Sequence, residues 1–268
     1  MDPQEQIQAE LERVEREKGV CILYACESGS RAWGFESRDS DYDVRFLYVH
    51  PIEWYLRIAA GPSMIERPVG PVLDVSGWDL RKALQLLEKS NPPLLEWLQS
   101  PIVYRERTDV VRRIRELMPL YYRSASCYHH YLHMAQGNYK DFLRADMVWV
   151  KKYFYVLRPV LACLWIERGY GIVPMEFQVL VDRLLDEGEV RTAIQDLVRR
   201  KKAGEELDRG PRIPQISDFL VRELDRLAQR QAPSSERRDA IRLDQVFRQC
   251  LIDVYGARIQ ADLLSPSE

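Results

Sequence analysis

The sequence predicts an α+β protein in which a strand-containing N-terminal part precedes an all-helical C-terminal part. Up to about residue 104, short apolar runs bounded by Gly, Pro and Asp alternate with helical patterns. Beyond that point the strand pattern stops, and apolar residues recur at the spacing of amphipathic helices. The 268 residues are therefore expected to form two domains, 1–104 and 105–268.

The first part opens with a helix and continues into strands. Ile7, Leu11 and Val14 recur at helical spacing, which predicts a helix over residues 3–17. The continuous apolar run 20–26 is short and precedes Gly-Ser, as is typical of a buried strand. Further strands are predicted at 42–49, 64–68 and 72–76, with a tight Gly-Pro turn at 70–71.

Capping residues and helical periodicity predict the remaining elements. Asp79 is placed to cap a helix over 80–89, and Asn91 precedes a short helix over 94–99. A short helix is also predicted at 54–58, and polar loops at 203–213 and 231–236. The helices of the second part are predicted at 108–118, 124–144, 146–168, 175–186, 189–202, 214–230 and 237–255.

The composition limits the class of protein. Lys and Arg number 39 and Asp and Glu number 41, so the net charge of −2 gives no global field for nucleic acid, although a local patch is compatible with it. The most apolar region, 147–173, is interrupted by charged residues and does not predict a membrane span. The N-terminus has no apolar signal segment, and the five cysteines lack metal-binding spacing. We expect a cytoplasmic protein whose oligomeric state the sequence leaves open.

The segment after the first predicted strand carries the chemical pattern. Asp41 and Asp43 are two residues apart at the head of a strand, so their carboxylates lie on one face. Such carboxylates repel each other unless a cation lies between them, and hard oxygen ligands suit Mg²⁺. Gly29 allows the backbone to approach a phosphate, and Ser30 begins a loop or helix that favours anions.

A third carboxylate is expected on a neighbouring strand. Asp74 lies within the predicted strand 72–76 and fits this position. Asp79 competes with it, but its place before Leu-Arg-Lys-Ala-Leu favours a helix cap. We therefore assign Asp74 to the predicted metal site.

Basic residues supply candidate contacts to phosphate. Lys151, Tyr155 and Arg158 share one helical face and could meet a triphosphate if the helical part closes over it. Periodicity does not decide between Lys151 and Lys152. Arg31 either binds phosphate or pairs with Glu36 or Asp39. The basic segment, Arg199–Lys202 with Arg209 and Arg212, is either a solvated helix end or a surface that follows an RNA backbone.

The sequence around these residues resembles a known family. Gly29-Ser30 followed by Asp41-x-Asp43 and a later strand Asp is similar to the DNA polymerase β-type nucleotidyltransferase superfamily. The segments 29–35, 39–45, 77–84, 90–92, 96–104 and 151–159 resemble the RlaP-type family of predicted nucleotidyltransferases, some of them encoded beside RNA-repair enzymes. The resemblance covers residues 19–170. It implies a polymerase-β-like domain with a mixed sheet, a helical domain, two Mg²⁺ ions (or Mn²⁺) and an NTP donor.

From the residues and the resemblance together we expect transfer of a nucleoside monophosphate to an acceptor hydroxyl. Asp41 and Asp43 would bind both ions, and Asp74 the ion nearest the acceptor. Gly29, Ser30 and Lys151 or Lys152 would hold the phosphates. The acceptor stays open between an RNA end and a protein or small molecule, as in antitoxin-like or aminoglycoside-modifying relatives. A catalytically inactive nucleotide-binding module is the non-enzyme alternative.

Overall fold

The computed structural model describes residues 2–59, 61–68, 70, 72–230 and 238–264, with the backbone alone at Pro68 and 257–264. It is an α+β fold with a mixed sheet, as the sequence and the resemblance predict, and this sheet has five strands. The sheet has the order β3-β4-β2-β1-β5, in which β2 and β4 run parallel and the other pairs antiparallel. Its strands are β1 (Cys21–Glu27), β2 (Tyr42–Val49), β3 (Met64–Pro68), β4 (Leu73–Asp79) and β5 (Val103–Glu106).

Both faces of the sheet are covered, which explains why β1 is a continuous apolar run. Helix α1 (Pro3–Lys18) packs Ile7, Leu11 and Val14 against one face, on the side of Ile22 and Val44. The alternate residues of the same strands, such as Leu23 and Leu47, face the helices.

The helical part is built around α8 (Tyr153–Glu167), which is buried over most of its surface and therefore apolar on nearly every side. The short helices α2 (Ser30–Trp33) and α3 (Ile52–Tyr55) flank β2. The other helices are α4 (Leu80–Glu88), α5 (Pro92–Trp97), α6 (Thr108–Tyr121), α7 (Ser124–Phe142), α9 (Phe177–Leu184), α10 (Glu189–Lys202), α11 (Pro214–Ala228) and α12 (Ile241–Leu264).

Three strands were not predicted. β5 lies at the sheet edge beyond the last predicted strand, and β6 (Met147–Trp149) pairs with β7 (Arg209–Pro211) in a separate ribbon. The helix predicted over 146–168 is wrong in its first turns, which form β6 and a 3₁₀ turn over Val150–Lys152. The loop predicted at 203–213 contains β7.

The predicted caps are confirmed. The Asp79 carboxylate accepts a hydrogen bond from the Arg81 backbone N–H at 2.9 Å, and the Asn91 side chain accepts one from Leu94 at 3.2 Å. The Gly-Pro turn lies partly outside the described residues, because Pro71 is not among them, and the loop predicted at 231–236 lies wholly outside.

The predicted boundary between residues 104 and 105 falls within β5, where Arg105 pairs with Ala25 of β1. One apolar cluster also crosses that boundary, joining Leu23 and Leu47 of the sheet to α8. The two-domain division therefore stays a prediction. Within the described ranges, no helix is long and apolar enough to cross a membrane.

Candidate active site

A cleft of about 500 Å³ opens where the sheet meets the helical part. Its acidic wall, Asp39, Asp41 and Asp43, comes from β2 and the segment before it. Its basic wall, Lys151, Lys152 and Lys201, comes from the 3₁₀ turn and the end of α10. The cleft thus brings carboxylates and ammonium groups from different elements together. It is also lined by Ser28, Gly29, Ser30, Trp33, Phe35, Ser40, Arg45, Phe154 and Tyr155.

Two of the predicted carboxylates, Asp41 and Asp43, line this cleft. Burial raises the pKa of Asp43; the Arg45 guanidinium opposes this, and the charges of Glu27, Asp74 and Asp41 add to the increase. The charged form of Asp43 is therefore disfavoured in the metal-free protein.

Asp74 lies directly beside Asp43 in the parallel pairing of β2 with β4. The 30 residues between them include α3 and β3, and the pairing of β2 with β4 brings these two carboxylates together. The Asp74 side chain is 56% exposed and does not line the cleft itself. The competing carboxylate, Asp79, is buried, caps α4 and accepts a hydrogen bond from the Tyr55 hydroxyl.

Arg45 connects the carboxylates of the two strands. Its Nη2 lies 2.7 Å from Asp74 Oδ2 and 3.4 Å from Asp43 Oδ1, and Nη1 donates to the Asp74 carbonyl at 3.3 Å. The side chain is only 17% exposed. This guanidinium neutralises charge that a metal ion would otherwise offset. Sequence reasoning missed Arg45, although its position two residues after Asp43 placed it on the same strand face.

Gly29 packs directly against the Asp43 carboxylate. A Cβ at position 29 would lie 1.8 Å from Asp43 Oδ2 and 2.7 Å from Cγ, so no side chain fits there without displacing Asp43. Its φ of −92° is open to any residue, so the close approach is the reason for glycine. Ser30, the first residue of α2, lies beside it in the cleft.

The Glu27 side chain holds the backbone around Gly29 and Asp43 in place. Its buried Oε1 accepts hydrogen bonds from the backbone N–H groups of Ser28, Gly29 and Asp43, at 3.2, 3.2 and 2.8 Å. The other oxygen, Oε2, accepts the Tyr104 hydroxyl at 2.6 Å. One carboxylate therefore fixes the end of β1 to the start of β2. Sequence reasoning missed it, because an acid at the end of an apolar strand carries no pattern of its own.

Arg31 supports the backbone in this structure, and its predicted contact with phosphate stays a prediction. Its guanidinium donates to the backbone carbonyls of Asp41 and Ser40, at 3.2 and 2.6 Å, and lies 3.8 Å from the centre of the Tyr42 ring. It does not pair with Glu36 or Asp39, and it is not among the residues that line the cleft. Arg31 instead holds the backbone that presents Asp41.

The side chains of Lys151, Tyr155 and Arg158, predicted to share one face, do not all reach the cleft. Lys151 and Tyr155 line the cleft, but Arg158 is 3% exposed and pairs with Glu96 at 2.7 Å. Its Nη2 also donates to the Met175 carbonyl at 3.2 Å. Arg158 is therefore a buried structural cation, which corrects its prediction as a phosphate ligand. The prediction failed at Arg158 because this side chain, although in the same helix as Tyr155, is drawn to its buried partner Glu96.

Lys151 and Lys152 both reach the cleft, so the structure does not choose between them. Lys151 makes a long pair with Asp208 at 3.9 Å, with both side chains about half exposed. Lys152 lies 4.4 Å from the centre of the Tyr155 ring. Burial, followed by the charges of Asp43 and Asp41, raises the pKa of Tyr155, which faces the acidic wall.

The carboxylates suit a hard divalent cation in kind, since Asp41 and Asp43 share the cleft and Asp74 adjoins Asp43. In the described part of the chain, no three or more Asp, Glu, His or Cys side chains already form a metal site. Arg45 bridges Asp43 and Asp74. A cation bound between these two carboxylates would take the place of the Arg45 contacts.

A mixed sheet with paired carboxylates at one cleft is the arrangement expected of a nucleotidyltransferase-like protein. The chain belongs to RlaP, the RNA repair pathway DNA polymerase beta family, whose model matches residues 4–249. The match extends beyond residues 19–170, where the resemblance was recognised, and includes the helical part.

Two individual proteins are similar to this chain. Uncharacterized protein YcgL of Bacillus subtilis strain 168 is 50% identical over 218 residues, which are 81% of this chain and 84% of that protein. A crystallised nucleotidyltransferase-like protein from Exiguobacterium sibiricum aligns over 94% of this chain and 91% of its own, with 11% identity and a TM-score of 0.30.

Proposed function

We propose that this protein is a Mg²⁺-dependent nucleotidyltransferase that moves a nucleoside monophosphate from an NTP to an acceptor hydroxyl. The observation that carries the proposal is the cleft that combines an acidic wall with a basic wall. A nucleoside triphosphate with bound divalent cations presents both charges at once, so it complements both walls. We place the reaction in the cytoplasm, where NTPs and Mg²⁺ are available.

Asp41 and Asp43 would hold the metal, with Asp74 as the third carboxylate. When bound, Mg²⁺ would neutralise phosphate charge and stabilise the attacking and leaving oxygens. The acceptor oxygen attacks the α-phosphorus, a new P–O bond forms, and the bond to pyrophosphate breaks. Asp74 lies on the exposed side of the carboxylates, where an acceptor has access, and is the candidate to receive the hydroxyl proton.

The remaining residues position the donor. Gly29 lets the backbone lie against Asp43, and Ser30 offers its hydroxyl beside it. Lys151 and Lys152 supply positive charge for the phosphates from the basic wall. Little covalent chemistry is required of the chain, since positioning and charge neutralisation carry such a reaction.

An RNA end is the acceptor we propose first, because the family model is described as part of an RNA repair pathway. A protein hydroxyl or a small molecule is the competing acceptor class. Radiolabelled NTPs with Mg²⁺ should therefore be offered RNA 3′ ends, the protein itself and small hydroxyl compounds in parallel. Label found only on protein or on small molecules would contradict RNA as the acceptor, but it would still support a nucleotidyltransferase.

The assignment is tested by Asp41→Ala and Asp43→Ala. Each should lower the transfer rate by about a hundredfold or more, because each removes a metal ligand. Asp225→Ala, at an exposed position on α11, is the matched control and should transfer at the wild-type rate. Wild-type turnover in either cleft variant would refute the carboxylate assignment. No transfer to any acceptor by the wild type would favour the inactive nucleotide-binding module.

A further inference from the structure

Lys201 reaches the cleft from a distant part of the sequence. It lies in the last turn of α10, whose buried residues Ile194 and Leu197 precede it by seven and four positions. This spacing places Lys201 on the inward face of the helix. The helix core ends one turn earlier, so the side chain extends into the cleft, where Nζ lies 3.3 Å from Ser37 Oγ.

The neighbouring basic residues face elsewhere. Arg199 pairs with Asp196, Arg200 pairs with Glu205 at 2.7 Å, and Lys202 is exposed. Of the run 199–202, Lys201 alone lines the cleft. The basic segment is thus neither uniformly solvated nor a continuous surface, because one of its cations is committed to the cleft.

The surroundings of Lys201 lack a partner for its charge. Within the described ranges, it forms no ion pair with a carboxylate at 4.0 Å or less. Burial and then the charge of Lys151 lower its pKa, while Asp41 and Asp39 act in the opposite direction. Two partly buried ammonium groups near each other repel, and an anion between them relieves that repulsion.

We propose that Lys201 is an anion-binding residue of the cleft and contacts the polyphosphate of the donor nucleotide together with Lys151. The inference rests on the proposed function and names a residue from the middle of the helical part as a determinant of donor binding. A polyphosphate is favoured over a single carboxylate or phosphate, because the basic wall offers three ammonium groups in one cleft.

The test uses inorganic tripolyphosphate as the probe, titrated into the full chain in the presence of Mg²⁺ by calorimetry. Lys201→Ala should weaken binding by about tenfold or more, the loss expected for a charge-assisted contact. Lys201→Arg keeps the charge and should bind within about threefold of wild type. Lys202→Ala is the matched control on the adjacent exposed lysine and should change affinity by less than about twofold.

The outcomes separate this inference from the proposed function. Equal affinity of wild type and Lys201→Ala overturns the inference, as does an equal loss in Lys202→Ala, which would indicate general surface charge. Failure of the wild type to bind tripolyphosphate overturns it too. A loss of tripolyphosphate affinity in Lys201→Ala but not in Lys202→Ala supports the inference. If no acceptor is labelled in the transfer assay, that result counts against the transferase and leaves this inference unaffected. Unchanged thermal unfolding midpoints would show that the variants are folded.

Discussion

At Asp43, the environment that stabilises the fold disfavours the charged carboxylate that the proposed chemistry needs. Its carboxylate touches Gly29, adjoins Asp74 and lies 3.4 Å from the guanidinium of Arg45. Burial penalises its charge, and Arg45 offsets part of that penalty. Arg45 therefore acts as an internal counterion for carboxylates whose proposed task is to bind a cation.

We predict that Asp43→Asn raises the metal-free stability at neutral pH. A carboxyl whose folded-state pKa is raised stabilises the fold most below its unfolded-state pKa, and this contribution is lost as pH rises through the folded-state pKa. The amide keeps the shape without the charge, so the gain over wild type should shrink as pH falls through the raised pKa. Thermal unfolding midpoints from pH 4 to 8 in chelator would measure it.

Asp74→Asn is the matched control for this prediction, because its side chain is more than half exposed and desolvation matters less there. A midpoint difference for Asp43→Asn that stays constant with pH would contradict the electrostatic explanation. A loss of stability at neutral pH would show that the pairing with Arg45 outweighs the burial of the charge.

The junction of β1, α2 and β2 is the element on which the site depends. Glu27 ties the backbone of this junction together, Arg31 holds the segment that carries Asp41, and Gly29 leaves room for Asp43. The role of these contacts is to position the carboxylates of Asp41 and Asp43.

Gly29→Ala should disable this junction. Its new Cβ would lie 1.8 Å from Asp43 Oδ2, so the Asp43 carboxylate or the backbone must move. We expect transfer to fall by about a hundredfold or more, since small misplacements of reacting groups are costly. Steady-state transfer rates and chemical unfolding would measure the two effects.

The control for this change is Gly137→Ala in the middle of α7, where a Cβ meets nothing within 4 Å. It should leave the rate unchanged and raise stability by about 0.5–1 kcal/mol, because alanine favours a helix over glycine. A Gly29→Ala protein as active as Gly137→Ala would show that Asp43 has freedom the structure does not indicate.

At the same scale, sequence patterns identified most elements because their signals are local. Caps such as Asp79, apolar spacing along α1 and the apolar run of β1 each lie within a few residues. β5 was missed because four residues of mixed polarity carry too little periodicity. β6 was missed because its apolar residues continue the helical pattern of α8.

The same distinction between local and long-range signals applies to the residues of the site. Asp41 and Asp43 were found because strand geometry relates residues two apart. Lys201 and Glu27 could not be found, because their roles come from contacts with Ser37 and Tyr104, 164 and 77 residues away along the chain. Arg158 misled for the converse reason: its partner, Glu96, lies 62 residues away and draws it from the predicted face.

At the scale of the whole molecule, the sheet and the helical part share one apolar core. The face of the sheet that carries Leu23, Leu47 and Val49 packs against α4 and also against α6, which lies beyond residue 104. The core thus depends on both proposed domains. This arrangement gives the predicted boundary a direct test.

A fragment of residues 1–104 should fail to fold on its own. It keeps only Val103 and Tyr104 of β5, and it exposes the apolar side chains that α6 and the later helices cover. We expect aggregation, or a chain without a cooperative thermal transition by circular dichroism, with the full-length protein as the control. A monomeric fragment that melts cooperatively would confirm the two-domain division.

The position of β5 also has a consequence during synthesis. β1 lies between β2 and β5, so it is an interior strand in the finished sheet. On the ribosome, however, β2 emerges soon after β1, whereas the partner for the other edge arrives only with Glu106. Until then the nascent chain presents an apolar strand edge, a template for pairing with other chains. A chaperone bound to nascent chains should therefore engage this protein before residue 106 has emerged and release it afterwards.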